Sequence, residues 1–351
     1  MTFLLKTFAF TPCDREIGSA TECTPSELRQ KFGNKSALVI GGTKGIGSGI
    51  ALQLAESGCR EIDIVGRDAV AGSKIVEKMK ETQHLLKLRG ETSLQSSGGK
   101  DLRCDFTYAD LSTVQGCKEL VESLGEVNQY DIVVMSVGVW PDFRNPLTPS
   151  GFHKVLFLDV VARYILLREL YHKGKLSNTS ERASVVDKPV VMSVLASGQK
   201  ISSSYESVKE LFLRKASNSY REDLMIPRTL SAVGLSHDSM LYKASSEYPD
   251  VTFIGTFPGL VATDVTASTF GHLFAKIANF IAKLLRVMIT PRECGLNHVN
   301  ILASDKVKLR GLTFWDHYLQ ARELHEKIKE TEFVEWNWSV LEKIGSDEPT
   351  C

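Results

Sequence analysis

Ala37-Leu38-Val39-Ile40-Gly41-Gly42-Thr43-Lys44-Gly45-Ile46-Gly47-Ser48-Gly49-Ile50-Ala51 is the stretch on which the fold turns. A short apolar run ends on paired glycines, a polar step follows, and an amphipathic helical pattern begins. This is a strand, a tight turn and a helix, and the apolar run Ile62 to Val65 supplies the next strand of the unit. Gly41 allows the tight exit from the strand, Gly45 the close approach of a pyrophosphate, and Gly47 the packing of helix on sheet. The first N–H groups of such a helix have no partner within it and face a phosphate, with Thr43, Lys44 and Ile46 lining the turn.

The same rhythm continues outward. Further β-rich runs lie at Leu102 to Tyr108, Ile132 to Ser136, Val190 to Val194, Val251 to Phe257 and Leu312 to Trp315. Helical patterns separate them, among them Ser73 to Leu88, Thr113 to Leu124 and Phe152 to His172. Several runs are continuously apolar, as strands covered on both faces must be. The pattern predicts an α/β fold with a doubly wound parallel sheet in a single domain over 36–315, an N-terminal extension over 1–35 and a C-terminal helical tail over 316–351. Gly90 to Lys100 and Ser177 to Lys188 read as exposed insertions, and Ser202 to Ser236 is longer than one helix and its connection require.

Composition excludes more than it selects. The 351 residues carry 42 Lys+Arg against 42 Asp+Glu, with 43% hydrophobic residues. A neutral chain has no global field for phosphate backbones, and no basic motif suits nucleic acid. The seven cysteines are scattered, with no zinc spacing, which implies reduced thiols, no metal and a cytoplasmic protein. No stretch reaches the ~20 apolar residues that span a bilayer.

The spacing Gly41-x-x-x-Gly45-x-Gly47 resembles that of the short-chain dehydrogenase/reductase family, over about Ala37 to Trp315, with Ile40 where the family places a Thr. The resemblance implies a Rossmann-type domain binding a nicotinamide cofactor at the carboxyl ends of the strands. At the end of the second strand, Gly66 stands where a carboxylate would read a ribose 2′-hydroxyl, and Arg67 offers a planar fork to a 2′-phosphate, with Lys44 beside it. This favours NADP(H). Asp110-Leu111, after the third strand, resembles the family's adenine-contacting motif, with Asp105 a competitor. Pro258-Gly259-Leu260-Val261-Ala262-Thr263 resembles its Pro-Gly motif with a carboxamide-holding Thr. The family's Asn-Asn-Ala-Gly reads Met135-Ser136-Val137-Gly138, and its helical Asn falls at or near Asp159, a charge beside the cofactor unless its pKa rises.

The resemblance further implies a Ser that polarises a carbonyl, a Tyr as acid or base, and a Lys four residues on that tunes the Tyr. Ser193, Tyr205 and Lys209 satisfy that spacing, with 205 − 193 = 12. Yet Tyr205 lies 258 − 205 = 53 residues before Pro258, more than one helix needs. One helix's length before Pro258 reaches about Arg228, where no Tyr-x-x-x-Lys stands. Either an insertion such as Ser217 to Ser236 follows the Tyr205 helix, with Ser239 to Tyr248 completing it, or the pair is lost.

Phe270 to Met288 carries an apolar stripe with Lys276, Lys283 and Arg286 opposite. It reads as a lid over a lipophilic small-molecule substrate, a peripheral membrane contact, or a core or homodimer helix. Trp140 and Phe143 could line the same pocket, and His153, His237 and His272 read as structural or surface residues. The expectation is an NADP(H)-dependent oxidoreductase moving a hydride between the nicotinamide and a carbonyl or secondary alcohol. The alternative is a catalytically degenerate NADP(H)-binding sensor or scaffold.

Overall fold

Apolar runs too short for helices pair side by side in the computed structural model, which describes residues 16–90, 102–125, 129–139, 146–177, 188–195, 197–199, 203–213, 226–262, 288–308 and 310–346. The strands are β1 (Glu16–Ser19), β2 (Ser36–Ile40), β3 (Glu61–Gly66), β4 (Arg103–Tyr108), β5 (Ile132–Met135), β6 (Val190–Val194), β7 (Thr252–Thr256), β8 (Leu312–Trp315) and β9 (Gln320–Arg322). Their order is β1-β9-β8-β7-β6-β5-β2-β3-β4. Strands β2 to β8 are parallel, and β9 and β1 add an antiparallel edge. The chain thus has a doubly wound α/β fold.

Both faces of the sheet are buried. Leu38, Val133, Val191 and Phe253 enter one core cluster, and Val39, Val134, Met192 and Ile254 the other. Neighbouring residues on a strand point to opposite faces, so only a continuous apolar run can satisfy two helical layers. Strands β3 and β5 flank β2, and the chain reverses direction between them, which opens the crevice at the carboxyl ends of β2 and β5 where ligands bind in such sheets.

Three features refine the sequence pattern. Within 1–35, Glu16–Ser19 pairs with Gln320–Arg322 from beyond residue 315, so both flanks join the sheet. The helix expected over Phe152 to His172 is α-helical at Lys154–Leu156, takes a π-type turn at Phe157–Val161, and resumes at Ala162–His172. Such turns interrupt a helix where a side chain must be re-aimed. Finally, the helix entering β7 spans Ile226–Glu247, so 226–236 is its first half rather than insertion. The polar stretch Ser236-His237-Asp238-Ser239, where the expected insertion gives way to the rest of the helix, is buried throughout. The expected lid Phe270 to Met288 lies outside the described residues except for Met288, as do Trp140, Phe143 and the Gly90 to Lys100 loop apart from Gly90.

Candidate functional site

The glycine turn sits where β2 leaves the sheet. Gly41 has φ +89° and accepts no Cβ: the added atom would lie 2.7 Å from the Val137 backbone nitrogen. At Gly47 it would lie 2.2 Å from Ser136 Oγ and 2.3 Å from the Gly41 carbonyl oxygen. Gly47 therefore lets the helix Gly45–Glu56 press on the turn itself. Ser136, which departs from the family motif, ties the turn to β5 by donating to the Ile40 carbonyl at 3.1 Å. Gly45 has φ +57° and completes the reversal.

The first-turn N–H groups of Gly45–Glu56 receive no side-chain cap, because Lys44 occupies the N-cap. Thr24, Asp68, Thr113 and Thr290 cap their helices with side-chain oxygens. An uncapped helix N-terminus behind a glycine turn fits a pyrophosphate. At the end of β3 a Cβ on Gly66 would come within 2.5 Å of Thr43 Cγ2, so an acid there would require the Thr43 side chain to move. Arg67, next along, is exposed. Lys44 is engaged elsewhere: its ammonium lies 2.7 Å from Asp68 Oδ2, and that contact, with the Ala71 N–H, holds the Asp68 carboxyl below its usual range. Of the expected positive pair, Lys44 is ion-paired, and Arg67 makes no ion pair among the described residues.

Asp110 is exposed, and its Oδ1 accepts the Ser112 N–H at 3.1 Å, while Leu111 is buried in the core. Asp105 faces Arg103 at 3.6 Å on the strand. Beyond β7, Pro258 leads into Gly259, whose φ of +73° sets it against the His317 ring. Val261 forms a bridge with Ile289. Thr263 lies outside the described residues.

Tyr205 and Lys209 are not joined to Ser193. They lie on a separate helix, Tyr205–Leu213, and Tyr205 donates its hydroxyl proton to the Lys327 carbonyl at 3.0 Å and stacks on Phe333 at 4.4 Å. Burial and Glu330 push the Tyr205 phenol above its usual range. Lys209 stands 5.6 Å over the Trp336 ring and 3.7 Å from Glu206. The reason is topological. The helix running into β7 begins at Ile226, and the Tyr-Lys pair precedes it on another element.

Ser193 has different company. Its Oγ accepts from Arg163 Nη1 at 2.7 Å and lies 2.7 Å from His237 Nε2. His237 Nδ1 is 3.0 Å from Asp238 Oδ1 and 3.3 Å from Ser197 Oγ, and Asp238 Oδ2 accepts the Gly198 N–H at 3.0 Å. Arg163 Nη2 also donates to the Val137 carbonyl at 2.5 Å. Asp159, held in the π-type turn, accepts the Val139 N–H at 3.3 Å, and a Cβ on Gly138 would lie 2.6 Å from its Oδ1. The whole group is buried. Burial pushes the Asp159 carboxyl up to about 7 against the pull of Arg163, and brings Arg163 down to about 10. Burial likewise lowers His237, with Asp238 opposing.

A carboxylate only accepts, so the His237–Asp238 contact puts the imidazole proton on Nδ1. Neutral Nε2 then accepts the Ser193 hydroxyl proton. Arg163, His237 and Asp238 were not singled out as site residues by sequence reasoning. The one available signal was a His-Asp pair on the helix that leads into the Pro-Gly turn.

No family model matches the chain. It is 30% identical over 167 residues to the rhamnolipid-biosynthesis 3-oxoacyl-[acyl-carrier-protein] reductase of Pseudomonas aeruginosa, covering 47% of this chain and 57% of that one. It is 24% identical over 266 residues to the oxidoreductase andH of Emericella variicolor, covering 75% and 66%. The matches thus span less than two thirds of these curated relatives' own lengths. Among solved structures, a 3-oxoacyl-(acyl-carrier-protein) reductase from Agrobacterium tumefaciens with NADP bound superposes with a TM-score of 0.53 at 18% identity, over 84% of this chain and 97% of that one. The chain is thus similar in sequence to these two oxidoreductases, and it shares the fold of the Agrobacterium reductase.

Proposed function

We propose that the protein is an NADP(H)-dependent oxidoreductase acting on a carbonyl or secondary alcohol of a lipophilic small molecule. The observation that carries this reading is the uncapped glycine turn beside the Gly66-Arg67 strand end, where phosphate groups can be held and glycine, packed on Thr43, stands in place of a ribose-reading acid. The Pseudomonas relative is a reductase and the Agrobacterium structure holds NADP, which supports it further.

Bound NADPH would supply a hydride. Gly41, Thr43, Gly45, Ile46 and Gly47 would seat the pyrophosphate, Arg67 the 2′-phosphate, Asp110 and Leu111 the adenine side, and Gly138, Pro258, Gly259, Val261 and Thr263 the nicotinamide half. Ser193 would polarise the substrate oxygen. Screening aldehydes, ketones and secondary alcohols for coupled NADPH oxidation or NADP+ reduction tests the reading, and carbonyl-dependent oxidation that disappears in Ser193→Ala is expected. The second reading, a non-catalytic NADP(H) sensor or scaffold, is favoured by the anchoring of Tyr205 to Lys327. NADPH binding without turnover of any of these compounds supports it.

A further inference from the structure

We propose that Ser193, His237 and Asp238 form the proton chain of this site, with Arg163 fixing its geometry, in the role expected of the Tyr205-Lys209 pair. The proposal rests on the oxidoreductase reading. It starts from three facts of geometry. Ser193 lies on β6, between β5, which runs into Val137-Gly138, and β7, which runs into Pro258-Gly259. His237 and Asp238 lie on Ile226–Glu247, the helix that feeds β7. Hydrogen bonds run without a break from Asp238 through His237 to Ser193, and Arg163 joins Ser193 to the Val137 carbonyl.

The chain has the parts such chemistry needs. The Ser193 hydroxyl is the group offered to substrate oxygen, so Ser193 is the catalytic residue and His237 and Asp238 are positioning residues acting through it. Arg163 occupies one Ser193 lone pair and supplies a fixed positive charge. Neutral His237 can take a proton through Ser193, and Asp238 stabilises the imidazolium that forms. In reduction, the carbonyl carbon gains the hydride that bound NADPH supplies, and its oxygen gains the Ser193 proton. Ser193 is reprotonated from Nε2 of imidazolium His237, which becomes neutral, and water restores that proton. One carbonyl, one NADPH and one proton give one alcohol and one NADP+. Oxidation runs the same path backwards.

The charged groups facing His237 are Asp238 from its own helix and Arg163, with Asp159 one turn before Arg163 against Gly138. Its other hydrogen-bonding neighbours, Ser193 and Ser197, are neutral. With the nicotinamide half held at Gly138 and Pro258-Gly259, a protonated His237 would disfavour the positive ring of NADP+ but not the neutral ring of NADPH. The ratio of the NADP+ to the NADPH dissociation constant therefore reads protonation of His237 without any substrate, and Asp159→Asn separates it from that of Asp159, which titrates at about 7. The titration of the 2′-phosphate is common to both cofactors and cancels.

The test measures both constants from pH 8 to 5.5 on the full chain and on His237→Gln, Asp238→Asn, Asp159→Asn and Tyr205→Phe. A linked single proton changes the ratio by at most about tenfold per pH unit. A rise of about threefold or more on acidification is expected in the wild type, Asp159→Asn and Tyr205→Phe, with a flat ratio in His237→Gln and a rise displaced to lower pH in Asp238→Asn. A flat ratio in the wild type, an unchanged rise in His237→Gln, or flattening by Asp159→Asn or Tyr205→Phe would overturn the proposal. If His237→Gln does not fold, the wild type and Asp238→Asn still decide. Absence of NADP(H) binding in the wild type would instead remove the oxidoreductase reading itself, and the proposal with it.

Discussion

Gly47 shows how one missing atom determines a site. A methyl group there would meet both Ser136 and the Gly41 carbonyl, so Gly47→Ala must push the helix Gly45–Glu56 off the turn. Overpacking of this kind costs about 1–3 kcal/mol. NADPH affinity should fall by about tenfold or more, measured by fluorescence titration. Arg67 makes a separate prediction. Arg67→Ala should weaken NADPH by roughly tenfold, about 1.4 kcal/mol, and leave NADH binding nearly unchanged. Equal losses for both cofactors would remove Arg67 from the 2′-phosphate site. Tyr205→Phe should cost about 1 kcal/mol of stability through the lost bond to the Lys327 carbonyl, with turnover preserved. Urea unfolding and a rate assay check the two halves.

Elements, rather than residues, decide what was legible in the sequence. The strand-turn-helix start was readable because alternating β and α periods and the glycine spacing agree. The bounds expected for β6 and β8 match the structure: β6 starts directly after Pro189, and β8 stops directly before Asp316. The helix Ile226–Glu247 was not readable as one element. Its Ser236, His237, Asp238 and Ser239 are buried, the first three in hydrogen bonds inside the protein, and a hydropathy pattern scores all four as solvent-facing. The Tyr-x-x-x-Lys spacing does not by itself fix where the pair sits. It fits the helical period, but its aromatic partner is Phe333, on the C-terminal helix Thr331–Gly345. Phe333→Ala should therefore destabilise by about 3–5 kcal/mol while sparing NADPH affinity, by thermal and urea unfolding against cofactor titration. Close helix packing gives a parallel case: a Cβ on Gly49 would sit 1.9 Å from the Pro291 carbonyl oxygen, so that crossing admits only glycine.

For the whole molecule, buried histidines couple folding to pH. Burial lowers His153 and His298 to about 4, and His298 spans the Cys294 carbonyl and the Thr256 hydroxyl. Their unfolded values lie near 6.5, so the unfolded chain binds more protons between pH about 4 and 6.5. Stability from these groups is present above that window and is lost on acidification, by roughly 3 kcal/mol per histidine at most. Asp159, raised to about 7, acts oppositely: its contribution is largest at low pH and is lost as pH rises through about 7. In urea unfolding at pH 5 and 7.5, His298→Gln should show a smaller pH difference than the wild type. A difference as large as the wild type's would mean that His298 is not held neutral by burial.

The glycine turn, the Gly66-Arg67 strand end and the crevice between β2 and β5 together make one claim, that this sheet holds NADP(H). Calorimetric titration of the full chain with NADPH and with NADH at one pH and salt concentration tests it most directly. A single site with NADPH tighter than NADH by about tenfold or more is predicted. Equal affinities, or no heat with either cofactor, would contradict it.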